Sequence, residues 1–247
     1  SDMVVTDDNF ASIAAAVEEG RSIYENIRKA VHYLLSCNLS EVLVMLGSTL
    51  LGWPLPLLPI HILWINLVTD GFPALALAVD PKDSDVMTRP PRDPQAPLLN
   101  RQRFVTICVQ GAVMAAATLA VFGIALSFMN DEVAIARTMT FSTLVLVQFL
   151  HAFTCRHERF SLLQIGITTN RMLVAAVLIS ALLQAAIVLS PWGQELFRVV
   201  SLRPNEWWLI AGFGMLPFVV MELWKAWSRG RNGAAKELRV SVSPTSL

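Results

Sequence analysis

The amino-acid sequence predicts an all-α protein, a polytopic membrane helix bundle with six transmembrane helices. Its 247 residues are 54% hydrophobic and only 15% charged, whereas soluble domains carry about 25% charged residues. Six apolar stretches are each long enough to cross a bilayer, which takes about 20 residues. These stretches cover residues 31–51, 57–79, 104–128, 138–155, 172–190 and 207–224.

The distribution of Lys and Arg predicts the orientation of the bundle. If both chain ends, the 81–103 loop and the 156–171 loop share one side of the membrane, that side holds 16 Lys and Arg and the other holds 3. Cytoplasmic loops carry the excess of positive charge, so both ends are expected in the cytoplasm, and the plasma membrane is the expected location. The formal net charge is zero, and no basic run suggests a nucleic-acid partner.

The segment before the first span has the pattern of an amphipathic helix. Within residues 9–29, apolar residues recur at helical spacing, and Asp7, Asp8 or Asn9 can serve as N-cap. No helix breaker separates this segment from the first span. We therefore expect one long helix that passes from water into the bilayer.

The first two spans form a hairpin, within residues 23–80, that contains buried acidic groups. No Lys or Arg occurs between Lys29 and Lys82, and an ionised carboxylate at mid-bilayer costs about 2.5–3.5 kcal/mol. Glu41 and Asp70 must therefore face the protein interior, a partner or an ion. Helical spacing places each with neutral oxygen donors on one helix face. The two groups are Asn38 with Glu41, and Asn66 and Thr69 with Asp70.

Carboxylate, amide and hydroxyl oxygens are the ligands of a hard cation such as Ca²⁺, which takes 6–8 of them. A single Asn or Ser in a membrane helix often only joins two helices through a hydrogen bond. Two carboxylates with three neutral donors are better explained by a cation site or ion path. Gly71 and Pro73 directly follow Asp70 and predict an irregular backbone there, of the kind that lines binding cavities.

The remaining segments give weaker expectations. The proline-rich 81–103 loop is expected to be ordered but not helical, with Arg89 and Arg92 free to contact another domain. The alternative is that this loop is only a stiff linker. The 229–247 tail is expected to be disordered. The three cysteines show no Cys–His pairing in the sequence and are expected to be buried thiols. They are Cys37, Cys108 and Cys155.

Several of these stretches together resemble the C-terminal membrane half of a P-type cation-transporting ATPase, most closely the calcium pumps of the sarcoplasmic/endoplasmic reticulum kind. The resemblance rests on Thr6-Asp-Asp-Asn-Phe, Ala16-Val-Glu-Glu-Gly-Arg, Asn38-Leu-Ser-Glu, Leu63-Trp-Ile-Asn-Leu-Val-Thr-Asp-Gly and Met87-Thr-Arg-Pro-Pro-Arg. It implies that residues 1–22 form the end of a phosphorylation domain and its stalk helix. Residues 23–80 would then be the ion-binding hairpin and 104–228 a four-helix C-terminal domain, together spans five to ten of ten.

The resemblance also implies roles for individual residues. Asn38, Glu41, Asn66, Thr69 and Asp70 would be metal ligands. Gln148 lies where those pumps have a further glutamate, and its neutral amide makes one Ca²⁺ per cycle a hypothesis. His151, one turn later, is either a proton site or a buried hydrogen-bonded residue.

The resemblance further implies that the chain has enzymatic activity only as part of a larger pump. The Asp-Lys-Thr-Gly phosphorylation motif is absent from the sequence, so ATP and Mg²⁺ belong to upstream phosphorylation, nucleotide-binding and actuator domains, which would be partners together with the first four spans. The chain is then a fragment, an isolated domain or one product of a split gene. The hypothesis is export of Ca²⁺ against protons. The alternatives are a pump for Mn²⁺ or Na⁺, a secondary cation carrier, and a non-catalytic membrane module.

Overall fold

A computed structural model of the chain describes residues 10–82, 86–88, 98–128, 133–157 and 162–241. The side chains of residues 163, 165 and 228–241 are not included in this description. The predicted N-cap residues Asp7, Asp8 and Asn9 lie outside the described residues, and so do Arg89 and Arg92. The prediction for most of the 81–103 loop therefore stays a prediction.

The first helix confirms the expected long rod. Helix α1 covers Phe10–Leu50, 41 residues without interruption. At about 1.5 Å per residue, a helix of this length extends roughly 60 Å. The amphipathic segment and the first membrane span are therefore one mechanical element.

The second span is irregular, as the sequence predicts, but the irregularity begins earlier. Helix α2 (Pro59–Trp64) leads into a π-helical turn at Ile65–Thr69, and helix α3 (Gly71–Ala78) follows. The Asp70 N–H donates to the carbonyl of Ile65 at 2.8 Å, the five-residue step of a π-helix. Pro73 lies in the first turn of α3, where its missing N–H costs little.

The rest of the bundle follows in chain order, and within the described residues six helices are long and apolar enough to cross a membrane. This confirms the predicted fold class and the six predicted spans. The remaining helices are α4 (Arg101–Phe128), α5 (Val133–Thr154), the single turns α6 (Leu162–Ile165) and Ile167–Thr169, α7 (Arg171–Leu189), α8 (Pro191–Phe197) and α9 (Pro204–Ser241).

Two features of this part differ from the sequence prediction. Helix α9 continues to Ser241, into the 229–247 tail that the sequence predicts to be disordered, and residues 242–247 lie outside the described residues. The run Ala234-Ala-Lys-Glu-Leu-Arg239 consists of strong helix formers, which explains the continuation. Short helix α8 was not expected. Ser190 caps it by accepting from the N–H of Gly193 at 3.1 Å, and Pro191 occupies its first turn.

Helix α5 lies at the centre of the bundle. It contacts α1, α3, α4, α7 and α9, and 67% of its span is buried, against 44% or less for the other spans. The buried amide of Gln148 and the buried imidazole of His151 explain this position, because lipid would leave both unsatisfied. The hydroxyls of Thr138 and Thr140 donate back to the carbonyls of Ala134 and Ala136 at 2.8 and 2.7 Å.

Asp80 joins four segments at one end of the bundle. Its carboxylate pairs with Lys29 on α1 at 2.9 Å and with Arg156, just after α5, at 3.1 Å. Asn170, the N-cap of α7, donates to the same carboxylate at 2.7 Å, and Asn26 donates to the Asp80 carbonyl at 2.7 Å. All five side chains are buried, and we call them the Asp80 cluster. It ties the long helix α1 to the ends of α3, α5 and α7.

We expect Asp80→Asn to destabilise the protein by about 3–5 kcal/mol, because it leaves two buried cations without their counter-charge. The measurement is the apparent free energy of unfolding of the purified protein in detergent. Lys82→Ala is the control, since Lys82 pairs with Glu19 at an exposed site and should change stability little. Equal stability of Asp80→Asn and Lys82→Ala would contradict the role of the cluster.

Gly193 permits a close approach of α8 to α7. A methyl group added there would lie 2.5 Å from the carbonyl oxygen of Ile187 and 2.6 Å from its Cα, whereas nothing lies within 4 Å of one added at Gly212. Gly193→Ala should therefore cost about 1–3 kcal/mol. Gly212→Ala, in the exposed face of α9, should gain about 0.5–1 kcal/mol. Thermal unfolding of both variants in the same detergent provides the comparison, and a neutral Gly193→Ala variant would refute this packing.

Candidate cation site

The Glu41 carboxylate is where three membrane helices meet. Glu41 lies on α1 with only 4% of its surface exposed. One of its oxygens accepts from the Asn66 amide of the π-helical turn at 2.8 Å, and the other accepts from the Gln148 amide of α5 at 3.0 Å. The structure thus brings together three of the residues that the sequence singled out.

Asp70 is fully buried where the π-helical turn meets α3. Its Oδ1 accepts from the Tyr33 hydroxyl of α1 at 3.0 Å. Its Oδ2 has no hydrogen-bond partner within the described part of the chain. A buried carboxylate oxygen without a donor is costly, and such an oxygen can accept a proton or bind a cation.

Asn38 and Thr69 take positions beside the two carboxylates without bonding to them. The Thr69 hydroxyl is buried and donates to the carbonyl of Ile65 at 3.0 Å. The Asn38 side chain is exposed and donates to the carbonyl of Leu34 at 2.8 Å. Neither side chain hydrogen-bonds to Glu41 or Asp70, so the structure does not join these two predicted ligands to the carboxylates.

An open cavity of about 450 Å³ lies along the α1 and α2 side of this site. Its polar wall is formed by Asn38, Glu41 and Asn66, and Val42 and Ile62 belong to its apolar wall. The Glu41 group is therefore reachable from one side of the bundle and covered by α5 on the other.

The charge of this region is uncompensated. Within the described ranges, no Lys or Arg pairs with Glu41 or Asp70, in contrast to Asp80 with its two cations. The Oε1 of Gln148 is a second buried oxygen that has no partner among the described residues. Buried carboxylate and amide oxygens with free lone pairs suit a hard cation.

Two contacts and the burial of one cysteine were missed or misjudged from the sequence. The prediction of no Cys–His pairing was wrong, because Cys155 Sγ lies 3.2 Å from His151 Nε2, and their i, i+4 spacing could have indicated it. Cys37 is a buried thiol as expected, but Cys108 is only partly buried. The Tyr33–Asp70 bond joins two helices, and no spacing within either helix predicts it.

His151 is buried, with 2% of its surface exposed, and it contacts Cys155. This agrees with the expectation of a buried hydrogen-bonded residue. Its ring stacks on Tyr33, with the centroids 6.0 Å apart. Its Nδ1 has no partner in the described part of the protein.

Comparison with known proteins places this geometry in context. The family model described as "Cation transporting ATPase, C-terminus" matches residues 54–227. The chain is 44% identical over 217 residues to the calcium-transporting ATPase of Bacillus subtilis, covering 88% of the chain and 24% of that protein. It is 35% identical to the endoplasmic reticulum calcium ATPase srcA of Aspergillus fumigatus, over 91% of the chain and 26% of that protein.

A human protein gives a similar match. The calcium-transporting ATPase type 2C member 1 of Homo sapiens is 34% identical over 248 residues, covering 100% of the chain and 26% of that protein. The chain thus spans about a quarter of the length of the curated relatives that it matches.

Proposed function

The chain belongs to the P-type cation-transporting ATPases, as their C-terminal membrane region, and from this premise we propose that it supplies the ion-binding spans of an ATP-driven Ca²⁺ pump. The relatives named above are calcium-transporting ATPases, which supports Ca²⁺ as the transported ion. Export from the cytoplasm, with both chain ends cytoplasmic and the pump in the plasma membrane, is part of the proposal.

The single observation that supports this function best is the contact of Glu41 with Asn66 and Gln148. The two amides donate N–H groups to the carboxylate, and these hydrogen bonds stabilise its negative charge in the absence of a cation. An amide turns its oxygen to the same point by a half rotation. The same three side chains can therefore bind a cation with three or more oxygens without moving a helix.

The proposed ligand set adds groups on both sides of this contact. Asp70 would contribute its unpartnered Oδ2, and Asn38 and Thr69 would contribute neutral oxygens after a change of rotamer. The full set is Asn38, Glu41, Asn66, Thr69, Asp70 and Gln148. Because Gln148 brings no charge, the set has two anionic ligands, which favours one Ca²⁺ per cycle over two.

Coupling to ATP requires the upstream phosphorylation, nucleotide-binding and actuator domains, which would bind ATP and Mg²⁺. The continuous helix α1 provides the connection, since a force at Phe10 is transmitted to Glu41 without a hinge. Tilting α1 would separate Glu41 from Asn66 and Asp70, and the ion would lose ligands from one side. The first four spans of the pump would cover the open cavity beside Asn38 and Glu41.

Release of the ion leaves two buried carboxylates in an apolar bundle. Such groups are stable as neutral acids and costly as bare anions. We therefore expect protons to replace the cation on Glu41 and Asp70, which makes the pump an exchanger of Ca²⁺ for protons.

Replacing Asp70 by Asn in the full-length pump should strongly weaken Ca²⁺-dependent phosphorylation by ATP. Loss of one buried charged partner costs about 2 kcal/mol or more, so the Ca²⁺ concentration for half-maximal phosphorylation should rise about 30-fold or more. The measurement is incorporation of labelled phosphate from ATP across a Ca²⁺ titration, with Mn²⁺ and Na⁺ titrated in parallel.

Glu206→Gln is the matched control, because Glu206 is also a buried carboxylate but lies in the first turn of α9, where it accepts from the N–H of Arg203. This variant should keep the wild-type Ca²⁺ dependence. Unchanged phosphorylation of Asp70→Asn would remove Asp70 from the ligand set, and a response to Mn²⁺ or Na⁺ alone would reject Ca²⁺ as the transported ion.

A further inference from the structure

Two histidines and a cysteine form a second buried cluster, separate from the oxygen donors around Glu41. His32 lies on α1, His151 lies on α5, and Cys155 lies just after the end of α5. One ligand atom from each lies within 4.8 Å of the others. All three side chains are more than nine-tenths buried.

The distances suit a small transition-metal ion. Zinc binds nitrogen at about 2.0–2.1 Å and thiolate sulfur at about 2.3 Å, so two ligands of a tetrahedral ion lie about 3.3–3.6 Å apart. His151 Nε2 and Cys155 Sγ are already 3.2 Å apart. The ligand atom of His32 lies within 4.8 Å of both, so it has to approach by no more than about 1.5 Å to complete that spacing.

The contacts of the two imidazole rings bear on which ring nitrogen each histidine would offer. The Nε2 of His32 contacts Oε1 of Gln110 on α4, and an acceptor at this nitrogen sets the tautomer, so that His32 would bind a metal through Nδ1. His151 would bind through Nε2, the nitrogen that lies beside Cys155.

The surrounding charge also permits a cation. Lys225 is one nearby positive group, and its Nζ donates to the carbonyl of Thr154 at 2.8 Å and to Glu222 at 3.0 Å. Glu222 therefore balances the charge of Lys225, and Asp80 pairs with Lys29 and with Arg156, the residue after Cys155. A thiolate at Cys155 would supply the negative charge that the metal itself requires.

We propose that His32, His151 and Cys155 bind a borderline-soft transition-metal ion of the Zn²⁺ class, with a fourth position left for water. Nitrogen and thiolate ligands select such metals, whereas the carboxylate and amide oxygens around Glu41 and Asp70 select hard cations. The two sites differ in ligand chemistry and are distinguishable by the metal that each binds.

The position of the cluster between α1 and α5 means that a bound metal would restrict the motion of these helices relative to each other. It would join α1 directly to α5, two helices that otherwise meet through side-chain packing and the Glu41–Gln148 bond. His151 stacks on Tyr33, whose hydroxyl donates to Asp70. This consequence rests on the proposed function, in which α1 must move relative to the rest of the bundle. A metal ion bound at this site would hold α1 in place and slow the transport cycle.

The binding test uses the full-length protein in detergent, freed of metal with a chelator and titrated with Zn²⁺ alone. We expect one Zn²⁺ per molecule in competition with a chromogenic chelator. Co²⁺ used in its place should give the absorption band of a thiolate ligand. Cys155→Ser should lose that band and weaken Zn²⁺ binding at least about 100-fold, since loss of even an outer-shell partner costs 10–100-fold.

Two controls keep the result specific. Cys108→Ser removes a thiol on α4 outside the cluster and should retain both binding and the Co²⁺ band. Asp70→Asn should retain Zn²⁺ binding, because it alters only the oxygen site. His32→Gln is the second cluster variant, for which loss of binding is also expected, and metal-free unfolding curves identify any variant that fails to fold.

The proposal is overturned if the wild-type protein takes up no stoichiometric Zn²⁺, or if folded Cys155→Ser or His32→Gln binds it as tightly as wild type.

The effect of Zn²⁺ on the transport cycle has its own readout. Zn²⁺ should inhibit Ca²⁺-dependent phosphorylation of wild type and inhibit folded Cys155→Ser much less. Stoichiometric binding without inhibition would reject the clamp between α1 and α5. Zn²⁺ binding by a protein that shows no Ca²⁺-dependent phosphorylation would reject the proposed function and leave the metal site in place.

Discussion

Two carboxylates without a counter-charge, Glu41 and Asp70, are the constraint on which the rest of this bundle depends. An acidic side chain in an apolar interior is normally paired, and the same chain shows the paired case at Asp80, where Lys29 and Arg156 bind the carboxylate. Glu41 instead accepts from two neutral amides, and Asp70 accepts from one phenol. The missing charge is what a bound cation would supply.

The architecture around these groups follows from the same constraint. Helix α5 is central because it presents Gln148 to Glu41 and contains His151, and both side chains are buried. The π-helical turn at Ile65–Thr69 contains Asn66 and ends next to Asp70, so both residues belong to the irregular part of the second span. At one end of the bundle, the Asp80 cluster ties α1 to its neighbours through one carboxylate shared by two cations. Helix α1 is thus held by an ion pair at Lys29, near its midpoint, and by hydrogen bonds from neutral amides at Glu41, nearer its C-terminal end.

The sequence predicts those parts of this structure that depend on local spacing and on hydropathy. The six spans, the unbroken α1 and the irregular second span are of this kind, and so is the placing of Glu41 and Asn66 on facing sides of a hairpin. The contacts that it did not predict join distant segments, as Tyr33 joins Asp70 and Asp80 joins Arg156. Their partners depend on how helices rotate against each other, which a single sequence does not specify. The pairing of His151 with Cys155 is local and was missed because no ligand motif of known spacing contains it.

The most direct test of this account is an experimental structure of the full-length pump with Ca²⁺ bound. The account predicts one ion between α1 and the π-helical turn, with carboxylate oxygens of both Glu41 and Asp70 at about 2.3–2.6 Å from it. It also predicts that the Gln148 amide has turned its oxygen toward the ion. An ion that contacts only one of the two helices, with the other carboxylate turned to separate surroundings, would contradict it.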